Sequence, residues 1–313
     1  MTKSRFFLVL LLIGTAFWGI SFPVTKDSFS VLHPYSFLLY RFIIAAVILN
    51  FIFHKQLSVI SKQGIKYGIL AGIPLGLAIL LHTVGLKYTS SSNASFIAGI
   101  EVLLIPIFKL LFFRKPVQRK MWFACIVALA GLYIIAMSSS EGFVLGDLYV
   151  FVGSVFFSFY VLLVSKLKHK TEAFSFVIVQ LYTCAAMYGI LTITTLGPGA
   201  LRVPMQEDIW TSLLFTGVLA TAYMYCVQNI AQKHIDEEKI ALAYLCEPIF
   251  ATIAAYILIN EEITQRTIIG GILILFAMFI AEANMRKMKP ILFLYKTAKP
   301  DSHSSKVTGQ SGN

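Results

Sequence analysis

The sequence predicts an all-α integral membrane protein, with ten transmembrane helices in two inverted five-helix repeats and both termini in the cytoplasm. Three observations carry this expectation. Nearly the whole chain consists of apolar runs of membrane-spanning length, about ten of them, joined by mostly short connections. Lysine and arginine collect in alternate connections. Polar landmarks of the first half recur, in order, in the second.

The runs must be helices, because a lipid core offers no partner to backbone N–H and C=O groups and an α-helix satisfies them internally. With roughly 20 residues per crossing, the spans read 6–25, 34–53, 65–86, 92–113, 120–137, 146–165, 173–195, 209–231, 239–260 and 267–285. Only 13% of residues are charged, about half the share of a soluble chain. The first run is longer than a signal-peptide core and has no clean small-residue cleavage site, so it is expected to be retained.

The second span holds Arg41. The third carries Gly68, Gly72 and Gly76, a small-residue face suited to close helix approach, and ends near His82. The fourth holds Glu101, Pro106 and Lys109, the last near enough to the boundary to snorkel. The sixth presents Phe157 and Tyr160, the eighth Gln228 and Asn229, the ninth Tyr244, Glu247 and Pro248. Cys125, Cys184, Cys226 and Cys246 fall inside spans at unrelated spacings, which reads as packing and not as a disulfide or metal framework. Residues 286–313 are polar and basic and are expected to form a disordered cytoplasmic tail. The apolar patch at 291–295 is suited to the membrane surface.

A formal charge of +11 invites a nucleic-acid partner, but its placement argues otherwise. Of the 26 Lys and Arg, 20 fall in the termini and the connections on one side and 4 on the other, with Arg41 and Lys109 inside spans. That is the positive-inside pattern. It orients the chain, favours contact with anionic membrane lipids and implies no nucleic acid. The expected location is a bacterial cytoplasmic (inner) membrane.

A shift of 139 places Gly14, Phe17 and Trp18 on Gly153, Phe156 and Phe157, and Arg41 on Gln180. From the third span the shift becomes 146, pairing His82 with Gln228, Lys87 with Lys233 and Glu101 with Glu247. The longer connection at 196–208, with Gly197-Pro198-Gly199, absorbs the difference. The repeats read 1–138 and 139–285. Each holds an odd number of spans, so the two enter the membrane from opposite sides, as in many secondary transporters with a site at the repeat interface.

Glu101 and Glu247 lie roughly 12–14 Å inside the hydrocarbon layer. A carboxylate at that depth normally faces the bundle interior or a wet cavity. The matched pair points to substrate or proton handling. Pro106 and Pro248 each remove an intrahelical hydrogen bond and are expected to free carbonyls toward a cavity. Tyr244 shares a helix face with Glu247. His82, Gln228 and Asn229 add polar lining, and Trp18, Phe157 and Tyr160 are candidate aromatic walls. Arg41, too deep to face lipid, either meets a helix C-terminus or binds a substrate carboxylate. No cofactor or metal is expected.

Several segments resemble a known family. Thr15-Ala16-Phe17-Trp18-Gly19-Ile20-Ser21-Phe22-Pro23 is similar to the first-helix signature of EamA-type members of the drug/metabolite transporter superfamily. Arg41-Phe42, Gly85-Leu86-Lys87-Tyr88-Thr89-Ser90-Ser91-Ser92-Asn93-Ala94, Gly131-Leu132-Tyr133 and Glu247-Pro248 with Glu261-Glu262 resemble further family segments. The resemblance spans about residues 6–285. It implies two EamA repeats, a cavity lined mainly by the third, fourth, eighth and ninth helices, and alternating access. Glu101 departs from the neutral small residue the family often has there, which favours an amine-bearing substrate or proton coupling over neutral sugars.

The expected function is therefore secondary transport of an amino acid or other amine-bearing metabolite, by proton coupling or exchange, in a monomer or homodimer. An enzyme would need a nucleophile–base or metal constellation, and neither His-x-x-x-His nor G-x-S-x-G occurs. A nucleotide-binding loop is likewise missing. A lipid flippase or membrane scaffold is the alternative; it would tolerate neutral replacement of both glutamates.

Overall fold

Helix lies over the described part of each of the expected apolar runs. The computed structural model describes residues 3–57, 61–114, 116–117, 119–136, 144–202, 206–260 and 263–282. The expected tail, its patch at 291–295 and Glu261-Glu262 lie outside these residues. In chain order the main helices are α1 (Lys3–Asp27), α2 (Pro34–Ile52), α3 (Lys62–Leu86), α4 (Ser91–Ala98), α5 (Glu101–Phe113) and α6 (Arg119–Ala136). They continue with α7 (Leu145–Leu167), α8 (Ala173–Leu196), α9 (Glu207–Ala231), α10 (Glu237–Tyr244), α11 (Glu247–Ile259) and α12 (Gln265–Glu282). Among the described residues there is no strand, and seven helical stretches are long and apolar enough to cross a membrane. α11 and Ile268–Ala277 within α12 are shorter apolar helices.

The surface is apolar where a soluble protein would be charged. Phe51 is 83% exposed, Ile257 68% and Ile190 66%, which suits lipid and not water. Inside, Phe37, Phe42, Tyr160, Tyr188 and Tyr225 are fully buried.

Small residues set the helix approaches. α3 packs along α7 and α8, α2 along α8, and α1 along α11. A Cβ on Gly68, Gly72 or Gly76 would lie 2.5–2.8 Å from Val179, Thr183 or Met187 of α8, so the glycine stripe is the α3–α8 seam. Along it Tyr188 Oη donates to Gly76 O at 2.9 Å and Cys184 Sγ to Gly72 O at 3.4 Å. Polar caps fix the helix starts: Gly64 N donates to Ser61 Oγ and Asn93 N to Ser90 Oγ, each at 3.0 Å. Asp147 accepts from Val144 N and from Thr89 Oγ1, tying the start of α7 to the α3–α4 connection.

Two runs are broken in the same way. α4 stops at Ala98 and α5 begins at Glu101; α10 stops at Tyr244 and α11 begins at Glu247. Every bound of the first pair recurs 146 positions later, down to the left-handed caps Arg114 (φ 50°) and Asn260 (φ 53°). The breaks are not where the prolines led us to expect. Pro106 lies inside α5, and the Val102 carbonyl it orphans accepts from Cys125 Sγ at 3.2 Å and does not open to a cavity. Pro248 sits in the first turn of α11, where a missing N–H costs nothing.

α9 is wound loosely in its middle. Phe215–Tyr223 is π-helical, and Thr221 Oγ1 donates to Thr216 O, five residues back, at 2.8 Å. Wide turns of this kind are rare and cluster at functional sites.

Candidate functional site

The paired breaks place Glu101 and Glu247 each as the first residue of a helix. The partial positive charge of a helix N-terminus complements a carboxylate there. Both side chains are buried and both line one cavity. Neither makes a side-chain hydrogen bond or an ion pair within 4.0 Å among the described residues. The two carboxylates are near enough to repel each other, and Arg41 is near enough to attract Glu247. Tyr244 joins them with a buried hydroxyl that has no hydrogen-bond partner among the described residues.

α1 forms one wall because Gly19 lets it touch α11: a Cβ at Gly19 would sit 2.6–2.7 Å from Phe250 Cβ, Ala251 N and Glu247 O. Above that contact Trp18 turns its ring onto Phe157, Tyr225 and Tyr244, at 5.2–5.6 Å between centroids. Its Nε1 donates to Ala220 O at 2.6 Å. Arg41 reaches the same stretch, with Nε donating to Thr221 Oγ1 at 2.7 Å and Nη2 to Ala220 O at 3.4 Å. The wide winding of α9 thus presents a carbonyl to two cavity-lining side chains, and a guanidinium carries more N–H groups than the two bonds to Thr221 and Ala220 use.

Of the residues singled out from the sequence, Glu101, Glu247, Tyr244, His82, Trp18, Phe157 and Arg41 line this cavity. His82 Nε2 also lies 3.3 Å from Ser154 Oγ. Tyr160, Gln228 and Asn229 stand behind the wall. Tyr160 Oη donates to Gln180 Oε1 at 3.0 Å, and Asn229 Nδ2 donates to Tyr225 O at 2.8 Å and lies 3.2 Å from Tyr160 Oη. Gln228 is fully buried, and neither of its amide atoms has a partner among the described residues. The eighth span, expected in the lining, contributes no residue to it; α1 stands in its place, held against α9 by the Trp18–Ala220 bond. Ser21, Phe22, Thr25, Thr83 and Leu86 line the cavity and were not anticipated. Their signal is periodic: 18, 21, 22, 25 on α1 and 79, 82, 83, 86 on α3 follow the spacing of one helix face.

Comparison with known proteins agrees with this architecture. The description "EamA-like transporter family" matches the chain twice, over residues 5–137 and 144–282. A protein of Archaeoglobus fulgidus described as an uncharacterized transporter is 26% identical over 266 residues, covering 84% of this chain and 81% of its own length. The Bacillus subtilis protein YyaM, also described as an uncharacterized transporter, is 25% identical, covering 89% of this chain and 94% of its own. One solved crystal structure shares the fold at a TM-score of 0.72 and 15% identity, over 90% of this chain and 98% of that one.

Proposed function

The chain belongs to the EamA-like transporter family, and from that premise we propose that it is a secondary transporter carrying an amino acid or another amine-bearing metabolite by alternating access. One observation carries the substrate class: two buried carboxylates, with no side-chain hydrogen bond or ion pair among the described residues, line the same cavity as Arg41. An ammonium group satisfies the acids, and a substrate carboxylate suits the guanidinium. The acids that receive the ammonium group in one step accept protons in another, so coupling to protons or exchange of one substrate for another both fit the pair.

In this reading ten helices cross a bacterial cytoplasmic membrane as two inverted repeats, 1–138 and 139–285, with both termini inside. The matching breaks at Ala98/Glu101 and Tyr244/Glu247 support the repeat, and the 20-to-4 division of basic residues supports the orientation. Cysteine labelling of intact cells should modify probes at Ser140 and Ala200 and spare one at Gln118. Labelling at Gln118 alone would reverse the orientation.

Uptake and counterflow in proteoliposomes, with a panel of amino acids and amine metabolites and with or without a pH gradient, test the function. An amine-bearing compound should accumulate. Transport of neutral sugars alone would sink the substrate class, and scrambling of a labelled lipid with no solute uptake would favour a flippase.

A further inference from the structure

From the paired glutamates the lining of the cavity extends toward one end of the bundle. From Trp18 it runs along α1 to Thr25, and from Ile79 along α3 to Leu86. Toward the opposite end three cavity-lining helices converge. Lys109 lies eight residues beyond Glu101, Ser165 eight beyond Phe157, and Glu237 seven before Tyr244, so each is about 10–12 Å along its helix from the cavity. There Lys109 Nζ meets Glu237 Oε1 at 3.0 Å, and Ser165 Oγ donates to Glu237 Oε2 at 2.9 Å. α5 and α7 pack side by side over this stretch, where the Phe108 and Phe159 rings stack at 4.7 Å between centroids.

Beyond the ion pair lies a second, polar cavity, lined by Lys166, Lys168, His169 and Asp236 together with Lys109 and Glu237. The pair therefore stands between two cavities. What fills the interval is unusual. Gln232 Nε2 donates to Val161 O, halfway between Phe157 and Ser165, while its Oε1 has no partner. Gln228, one turn nearer the central cavity, is fully buried and, among the described residues, has no partner for either amide atom. Buried amides left unsatisfied are costly, and closed packing alone gives no reason to keep them. A passage that fills with water or solute in another state does.

We propose that the Lys109–Glu237 ion pair, steadied by Ser165, is the latch that closes the path at the end of the bundle away from Thr25 and Leu86, and that Gln228 and Gln232 line the passage it closes. The proposal rests on the alternating-access reading above. Removing one partner leaves an uncompensated charge in the closed arrangement, so the closed state loses its advantage and the passage opens more often.

The test is the reactivity of a single cysteine, Gln228→Cys, toward a small cationic thiol reagent in detergent, with the four native cysteines replaced by alanine. Lys109→Ala and Glu237→Ala should each speed labelling at least about tenfold, and the charge-exchanged double variant Lys109→Glu/Glu237→Lys should bring it back near the starting rate. Unchanged labelling in both single variants overturns the latch. So does faster labelling that the exchange fails to reverse, because that is the mark of general loosening. The readout needs no substrate. Uptake measured in parallel separates the two ideas: a working latch without solute transport sinks the transport reading, and normal transport without a labelling change sinks the latch alone.

Discussion

Replacing Glu247 by glutamine should cut gradient-driven uptake about a hundredfold, and Glu101→Gln should do the same. Breaking a buried, hydrogen-bonded charge pair costs roughly 2–5 kcal/mol, which corresponds to about thirty- to several-thousand-fold in affinity. Both acids face the cavity with no side-chain hydrogen bond or ion pair among the described residues, so the amide replaces no observed bond and the fold should survive, as size-exclusion profiles and melting curves would show. Because the two carboxylates interact, any pH midpoint of transport in the unaltered protein belongs to the pair and not to either residue. Full pH-dependent uptake by the Glu247→Gln protein would make that residue structural.

Gly19→Ala should be nearly as damaging although it touches no charge. The added methyl group would meet Phe250 Cβ, Ala251 N and Glu247 O at 2.6–2.7 Å. Two of these are backbone atoms, so α1 or α11 has to move, at about 1–3 kcal/mol for overpacking of this kind. The displaced backbone includes Glu247 itself and the displaced helix carries Trp18, so uptake should fall at least about tenfold along with the melting temperature. Gly271→Ala is the control. Its nearest neighbour would be Ile249 at 3.9 Å, and alanine is the better helix former by roughly 1 kcal/mol. Equal behaviour of the two variants would show that close approach at Gly19 does not hold the site.

Much of this was legible in the sequence, for identifiable reasons. Apolar runs of membrane length have no competing reading, and helix lies over the described part of each of them. A charge at lipid depth is rare enough that Glu101 and Glu247 drew attention before their surroundings were known, and the structure brings them to one cavity. Facing was harder to read. Gln228 and Asn229 follow a stretch whose backbone bonds reach five residues back. A wheel drawn at 3.6 residues per turn loses its bearing across such a stretch. The break points were also hidden: Gly99-Ile100 and Leu245-Cys246 contain no proline, and Pro106, the visible signal, sits within a continuous helix beside Cys125. Lys109 looked like a boundary lysine because only the folded chain brings Glu237 to it.

The wide turns at Phe215–Tyr223 also bear on how this helix tolerates changes of length. In a regular helix the loss of one residue turns everything beyond it by about 100°, which would carry the fully buried Tyr225 away from Trp18 and Phe42. A π-helical stretch already holds surplus residues. It can give one up by tightening to ordinary winding, and the slack is taken up locally. The eighth span is thus the place in this bundle where a deletion is most easily absorbed, and where homologous chains can differ in length without losing their register elsewhere.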